Sequence, residues 1–516
     1  MHAIEFFDRG VNVNPNGVAF VAHDGTGALT YREAEAITHR VAAALQRDGV
    51  APGTPVGVLS ANSPLVMPCI LGVLRAGCTW VSLNARSATG ELGGLLDTVG
   101  APILLHSAEL ADVAERLCSE VPGLQRLVTM DGPDGGPAAG GWLAPEDSRV
   151  PLPPHDPEAV AAYFGTGGTT GEPKAVEVTH RSLETMIHAF NCHMPETDPV
   201  HLVAAPLTHA AGTAVFPVLS VGGRNVIHPG VDAGEILRSI ERNRVTRLFL
   251  PPTAIYALLD HPEVFRRDTS TLRYFLYGAA PMSVSRLKQA LRTFGPVMAQ
   301  FYGQVEVPMF CTFFSPAEHV EAMEEPTLAR RLASCGRPSM VATVAVMVDG
   351  KPVDRGERGE IVVRSSLRMR GYHRDPVRTA ATLLPGGWHA TGDIGYLDDD
   401  GYLFIVDRKR DLIISGGFNV FPGEVEQVLW GHHTVADCAV VGLPDKKWGE
   451  RVTAFVELKE GAEADAAALI DLCRERLGSV KAPKAVVFRT LPRSPAGKVL
   501  KRTLRDEFWQ GRERRV

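Results

Sequence analysis

Thr166-Gly167-Gly168-Thr169-Thr170-Gly171-Glu172-Pro173-Lys174 packs three glycines and three threonines into a run that ends on one lysine. Glycines let the backbone turn tightly and bring bare N–H groups close to a ligand. The threonine hydroxyls add donors and Lys174 adds a charge, a combination that suits a polyphosphate. Taken alone, the run also reads as a solvated Gly-rich turn. It is not a Walker A loop, because Glu172 and Pro173 stand where that motif needs glycine directly before lysine. A Walker loop also opens a helix. Here residues 159–164 form an apolar run of strand length, and residues 175–179 alternate small apolar and polar side chains. The pattern predicts a hairpin that wraps phosphates without a helix dipole. A helical pattern on Leu183, Met186, Ile187 and Phe190 follows only later.

Outward from the loop, residues 30–120 alternate helix-like and strand-like patterns. Thr30 to Ala34 starts a helix whose apolar face continues through Val41, Ala44 and Leu45, and residues 65–75 form another. Residues 56–59 and 79–83 are short buried strands, and 248–250 and 274–277 repeat the rhythm. Such βαβ alternation implies mainly parallel sheets flanked by helices. After about residue 335 the pattern changes. Residues 341–348, 360–364 and 401–406 read as strands separated by turns such as Asp349-Gly350, a small antiparallel β unit of barrel type. Asp407-Arg408-Lys409-Arg410-Asp411 is a charged break, and a mixed α+β segment of roughly a hundred residues, the size of a small domain, lies beyond it.

At 516 residues the chain is too long for one core. Its net charge is −6 and its only dense basic run is the short stretch at Arg512–Arg515, which argues against a nucleic-acid partner. The eight cysteines are scattered with no CxxC pair, so neither a zinc site nor a disulfide framework is expected. That usage fits a reducing cytoplasm. The first residues do not read as a signal peptide, and no unbroken apolar run reaches the about 18 residues that a membrane span needs.

With its flanking strands, the 166–174 run resembles the phosphate loop of the adenylate-forming superfamily. That superfamily joins AMP-forming acyl-CoA synthetases, adenylation domains and luciferases, and its usual loop is T-S-G-T-T-G-x-P-K-G. Gly167 stands where serine is common and Ala175 where glycine is common. The first change removes a hydroxyl and keeps the backbone N–H.

Other stations follow in the family's order. Pro206-Leu207-Thr208-His209-Ala210-Ala211-Gly212 reads as a strand-to-helix turn and resembles P-L-x-H-x-x-G, whose histidine borders the acyl pocket. The F-D-x-S carboxylate of amino-acid adenylation domains has no counterpart here, which points to a simple carboxylic acid. Gly278-Ala279-Ala280-Pro281 offers a small-residue slot for a flat base and resembles the adenine loop. The plainer reading is a helix start with Pro281 at its first position. Gln300-Phe301-Tyr302-Gly303-Gln304-Val305-Glu306 resembles Y-G-x-T-E. The resemblance implies that Tyr302 packs against adenine and that Glu306 holds Mg²⁺. Val305 replaces the threonine that contacts the α-phosphate, and one lost hydrogen bond to a charged group is worth roughly 1.5–3 kcal/mol.

Asp393 sits in a T-G-D signature and, by resemblance, accepts both ribose hydroxyls, with Arg408 on the same sugar. Gln300, Phe301, Gly303 and Ile405 are assigned to the nucleotide on the same ground. Arg410 matches the hinge position. Gly416 and Gly417 lie in a stretch that resembles the channel for the pantetheine arm of CoA, and equally reads as a β-turn. Pro492 to Lys498 resembles the C-terminal lysine motif, in which Lys498 bridges the attacking carboxylate and the α-phosphate.

The stations run from residue 166 to 498, nearly the whole chain. The resemblance therefore implies an α/β fold: a large N-terminal domain, about 1–409, of two doubly wound subdomains plus a small β-barrel, and a mobile α+β domain, about 411–516. It implies that ATP, Mg²⁺ and CoA convert a carboxylic acid to acyl-CoA through an acyl-adenylate. Lys498, Glu306, Thr166 and Lys174 are the expected catalytic groups, with Gly168, Thr169, Thr170 and Gly171 around the phosphates. Ala210, Ala211, Gly212 and Gly278 leave space beside the carboxyl, and Phe216, Phe249, Val305, Val307, Pro308 and Phe310 supply an apolar lining. A medium-sized or bulky fatty, aryl or alicyclic acid fits that lining. A carrier-protein thiol is the alternative acceptor, and a homodimer is expected. A light-emitting oxygenase and a silent nucleotide-binding protein are the rival classes.

Overall fold

The computed structural model of the chain describes residues 1–132, 141–167, 173–208, 210–493 and 499–509. Two large sheets dominate it. A seven-stranded sheet runs Gly371–Tyr372, Pro173–Thr179, Val160–Gly167, Thr79–Asn84, Pro55–Ser60, Ile103–His106, Arg126–Thr129. From Val160–Gly167 onward its pairings are parallel, and only the first two strands are antiparallel additions. A nine-stranded sheet reaches from Arg337–Pro338 to Leu29–Thr30. Its interior, Met298–Tyr302 through Val18–Ala22, is parallel. Buried on both faces, these interior strands are short apolar runs, as parallel strands should be.

Some of the helices between strands start at a side-chain cap. Tyr31–Arg47 begins at Thr30, whose hydroxyl accepts from the Glu33 amide while the Glu33 carboxylate accepts from the Thr30 amide. Val66–Arg75 is buried all round, the mark of a helix clasped within a core. Its Gly72 is forced: a Cβ there would lie 2.5 Å from Val41. One continuous core joins the two sheets through Phe7, Phe20, Tyr31, Trp80, Phe164 and Phe190.

The β unit is an antiparallel sheet of six strands, with Ala342–Val348, Gly359–Ser365, Trp388–Leu397 and Leu403–Arg408 at its centre. Its pairings run in an open order, so the barrel expected from the pattern is not closed by the described strands. One margin is the two-residue strand Lys351–Pro352, and Pro352 has no N–H with which to continue the ladder.

Beyond residue 411 a separate five-stranded sheet forms. The helices Pro422–Trp430, Ala466–Lys481 and Lys501–Trp509 accompany it. It has its own core on Ile413, Val425, Val440, Val452 and Leu469. The fold is thus a large mixed α/β domain followed by a smaller one. Among the described residues, no helix is long and apolar enough to cross a membrane.

Candidate active site

The glycine–threonine run lies at the tip of a hairpin. Val160–Gly167 and Pro173–Thr179 pair antiparallel, with Thr166 opposite Lys174 and Gly167 opposite Pro173. Gly168, Thr169, Thr170 and Gly171 lie outside the described residues. The two described polar groups of the motif therefore face each other where the hairpin opens. The Lys174 ammonium stands 5.0 Å from the centre of the Tyr372 ring, a cation–π distance.

A second cluster grows from the strand Met298–Tyr302, which carries Gln300, Phe301 and Tyr302 to the end of the nine-stranded sheet. Gly303 then turns the chain, and a Cβ there would run into the Met309 backbone. The Tyr302 hydroxyl donates to Asp393 Oδ2 at 2.7 Å. Burial first, and then the Asp393 carboxylate, holds the phenol well above its ordinary value, so it stays a donor. Gln304 donates its amide to the same Oδ2 and to the Thr391 carbonyl, both at 2.8 Å. Arg408 is Asp393's register partner on the neighbouring strand, with Nε 3.4 Å from Oδ1. Asp393 is buried yet holds about four lone-pair sites, so these donors leave it acceptor capacity.

Glu306 lies two residues beyond Gln304 and meets the first cluster. Its Oε1 accepts from the Tyr372 hydroxyl at 2.8 Å, and its backbone carbonyl accepts from the Met369 amide at 2.7 Å. Val305, beside it, is half-buried against the main core.

Gly278-Ala279-Ala280 leaves the strand Tyr274–Tyr277 in a bend of its own. Gly278 has no room for a side chain, since a Cβ would lie 2.8 Å from the Phe301 carbonyl oxygen. Ala279 adopts a left-handed φ of 65°, a conformation of cost for a residue with a Cβ. The following helix starts at Val284 with Ser283 at its cap, so Pro281 is not a first helical residue.

Around the expected acyl pocket, Phe301 meets Phe249 at 5.1 Å and Phe310 at 6.0 Å between ring centres. Phe190 packs edge-on to Phe310 at 4.6 Å. Phe216, Val307 and Phe310 are buried in the core, and Pro308 is partly exposed. Ala210, Ala211 and Gly212 belong to the 3-10 turn Ala210–Ala214, where a Cβ on Gly212 would run into the Leu207 carbonyl. His209 lies outside the described residues.

Ile405 is 38% exposed on Leu403–Arg408, opposite Gly395. Arg410 lies in the short turn Lys409–Asp411, its guanidinium lowered by burial and by Arg408. Gly416 and Gly417 are the two loop residues between Ile413–Ser415 and Phe418–Val420, with φ of 59° and 83°. That is the geometry of a tight hairpin turn that favours glycine twice. Lys498 lies outside the described residues. The base of its loop is held by an Arg493–Val499 bridge and by Leu500 N–H donating to the Pro492 carbonyl at 2.8 Å.

These contacts form two sets, Lys174 with Tyr372 and Glu306, and Tyr302 with Gln304, Asp393 and Arg408, and Glu306 of one lies only two residues along the chain from Gln304 of the other. Gly416 and Gly417 stand outside both sets, in the separate sheet of the smaller domain. Thr391 is the first residue of the T-G-D signature, whereas Gln304 and Tyr372 carry no signal that sequence reasoning could use. Gln304 sits at a variable motif position, and Tyr372 reaches Glu306 across 66 residues.

The model of the AMP-binding enzyme family matches residues 7–373, and that of the AMP-binding enzyme C-terminal domain matches residues 424–498. The chain belongs to the AMP-binding enzyme family. This AMP-forming acyl-CoA synthetase is 39% identical over 487 residues to the medium/long-chain fatty acid–CoA ligase FadD8 of Mycobacterium tuberculosis, spanning 91% of this chain and 84% of that protein. It is 36% identical over 510 residues to a feruloyl-CoA synthase of Amycolatopsis, spanning 97% and 98%. Its fold matches the amide bond synthetase McbA of Marinactinospora thermotolerans with a TM-score of 0.87 at 31% identity, covering 98% and 100% of the two chains.

Proposed function

We propose that this ligase activates a medium-sized or bulky apolar acid, fatty, aryl or alicyclic, and passes the acyl group to CoA. One observation carries the reading: a Tyr302–Gln304–Asp393–Arg408 network and a Lys174–Tyr372–Glu306 cluster at the mouth of the glycine–threonine hairpin are joined by the short chain segment from Gln304 to Glu306. The first is a place for a sugar and a base, the second for a polyphosphate and a cation. Relatives named for fatty and aryl acids support the substrate class, and the packed aromatic cluster of Phe249, Phe301 and Phe310 is in keeping with it.

In the first half-reaction a carboxylate oxygen attacks the α-phosphorus of ATP, the bond to the bridging oxygen breaks, and pyrophosphate leaves. Charge gathers on the phosphates, so catalysis is electrostatic and positional. Lys174 and Thr166 hold the polyphosphate from either side of the hairpin, while Asp393 and Arg408 hold the ribose. Lys498 bridges the attacking oxygen and the α-phosphate. Among the described residues no cluster of three carboxylate, histidine or cysteine side chains could cage a metal. A lone Glu306 still fits Mg²⁺, which binds through one or two carboxylates and substrate phosphates. Bound there, Mg²⁺ neutralises phosphate charge. In the second half-reaction the CoA sulfur attacks the acyl carbonyl, the carbon–oxygen bond to AMP breaks, and AMP leaves.

Residues 1–409 and 411–516 are the two moving bodies in this reading, with Arg410 as the hinge and the Gly416–Gly417 turn as the pantetheine contact. All eight cysteines are unpaired, which supports a reducing compartment such as the cytoplasm. Pyrophosphate release across a panel of carboxylic acids, with and without CoA, tests the proposal. Release with an apolar acid, and acyl-CoA only when CoA is added, is the expected result. Formation of ADP and phosphate would overturn it, and transfer to a carrier-protein thiol in preference to CoA would replace the acceptor.

A further inference from the structure

Tyr372 touches both of the charges assigned above to the polyphosphate and its cation. Its hydroxyl donates to Glu306 Oε1 at 2.8 Å, and its ring lies under the Lys174 ammonium at 5.0 Å. The residue is 8% exposed and held in place by its own backbone. Gly371–Tyr372 is a two-residue strand added to Pro173–Thr179, with Tyr372 opposite Val176. Arg370 N–H donates to the Glu177 carbonyl and His373 N–H to the Ala175 carbonyl, at 2.9 and 2.8 Å. Tyr372 N–H donates to Thr379 Oγ1 at 2.9 Å, and Gly371 is bare because a Cβ would meet Thr379 at 2.9 Å. On the other side, Met369 N–H donates to the Glu306 carbonyl at 2.7 Å. Segment 369–373 therefore ties the strand of Lys174 to the loop of Glu306 by main chain and side chain together.

Opposite charges this near a common ring would gain by pairing directly. Among the described residues no Lys174–Glu306 ion pair forms, and each of the two side chains meets Tyr372 instead, Lys174 at the ring and Glu306 at the hydroxyl. A paired Lys174 would be lost to phosphate, and a paired Glu306 would be lost to a cation. We propose that Tyr372 is a positioning residue for adenylation: its hydroxyl holds Glu306, its ring holds Lys174, and together they keep the two charges apart and available. The inference rests on the reading of this cluster as the polyphosphate and cation site.

The two parts of the role separate by substitution. Tyr372→Phe keeps the ring and removes the hydroxyl, and Tyr372→Leu removes both. Calorimetric binding of ATP to the full-length protein, with and without Mg²⁺, is the readout besides turnover. Tyr372→Phe should leave metal-free ATP affinity within about twofold and weaken Mg·ATP binding about tenfold, the scale of one hydrogen bond to a charged group. Tyr372→Leu should weaken metal-free ATP binding as well, because Lys174 can then pair with Glu306. The KM for the carboxylic acid and the conversion of supplied acyl-adenylate to acyl-CoA should change by less than about twofold in either variant, since neither uses the polyphosphate. Equal Mg·ATP affinity in wild type and Tyr372→Phe would overturn the proposal. So would equal damage to both half-reactions, which is what a merely structural tyrosine would give. Absence of Mg·ATP binding by the wild-type protein would overturn the parent reading, and this one with it.

Discussion

Removing the cation of Lys501 should destabilise the small domain strongly at neutral pH and weakly in acid. Lys501 opens the helix Lys501–Trp509, three residues after Lys498, and its ammonium lies 2.7 Å from Glu426 Oε1. Glu426 is 5% exposed and also accepts from the Val440 amide at 2.7 Å. Asp407 is a second carboxylate within reach, already accepting from the Gly423 amide at 2.9 Å. Burial would lower the Lys501 ammonium, but Glu426 and Asp407 outweigh it and raise it above the ordinary lysine value. Burial raises Glu426, and the neighbouring Asp407 adds to the rise against the pull of Lys501. Breaking a buried pair by removing one partner costs about 3–5 kcal/mol. Lys501 keeps 22% of its surface, so we take the lower end, about 3 kcal/mol for Lys501→Met at pH 8.

The pH dependence follows from the carboxylates. A carboxyl whose folded value is raised binds its proton more tightly in the folded than in the unfolded state, so its contribution falls as pH rises through the folded value. Without Lys501 the folded value of Glu426 rises further. The gap between variant and wild type should therefore be full above that raised value and shrink toward the ordinary carboxylate range. Urea unfolding at pH 8 and pH 5, followed through the small-domain tryptophans Trp430, Trp448 and Trp509, measures it. Adding Glu426→Gln to the variant should recover most of the loss at pH 8. A penalty independent of pH, or below about 1 kcal/mol at pH 8, would refute the reasoning.

Other outcomes are expected from the same geometry. Gln304→Leu removes a donor from Asp393 and from the Thr391 carbonyl, and should raise the KM for ATP about tenfold with the KM for the acid unchanged. Val305→Thr should speed adenylation if the α-phosphate lacks only a hydroxyl partner, and an unchanged or slower rate would mean that the pocket is shaped around valine. Gly416→Ala puts a Cβ on a residue at φ 59° and 2.9 Å from Trp448. It should slow thioester formation from supplied acyl-adenylate about 5- to 30-fold, through a strain of about 1–2 kcal/mol, while pyrophosphate release is spared.

Local chemistry makes much of the frame legible in the sequence. Thr30 and Glu33 announce a capped helix, and the alternation of residues 175–179 announces that the glycine–threonine run ends in a strand. Reading Asp393 and Arg408 as one site needs the family order, because nothing local links a T-G-D turn to an arginine on the next strand. The missing parts share a cause. Tyr372 lies on a two-residue strand, too short to show any period, and its partner Glu306 is distant in the chain. Pro281 reads as a helix start, but the left-handed Ala279 bends the chain first and Ser283 takes the cap. The described pairings of the β unit run in an open order with the two-residue strand Lys351–Pro352 at one margin, which turn signals alone do not distinguish from a closed order.

The central claim is that a carboxylate oxygen attacks the α-phosphorus of ATP and is later left on AMP. Turnover of an apolar acid labelled with heavy oxygen in its carboxyl group, with ATP, Mg²⁺ and CoA, tests it directly. The account predicts AMP carrying one heavy oxygen on its phosphate, unlabelled pyrophosphate, and acyl-CoA that retains the other. Unlabelled AMP, or heavy oxygen in inorganic phosphate beside ADP, would contradict it.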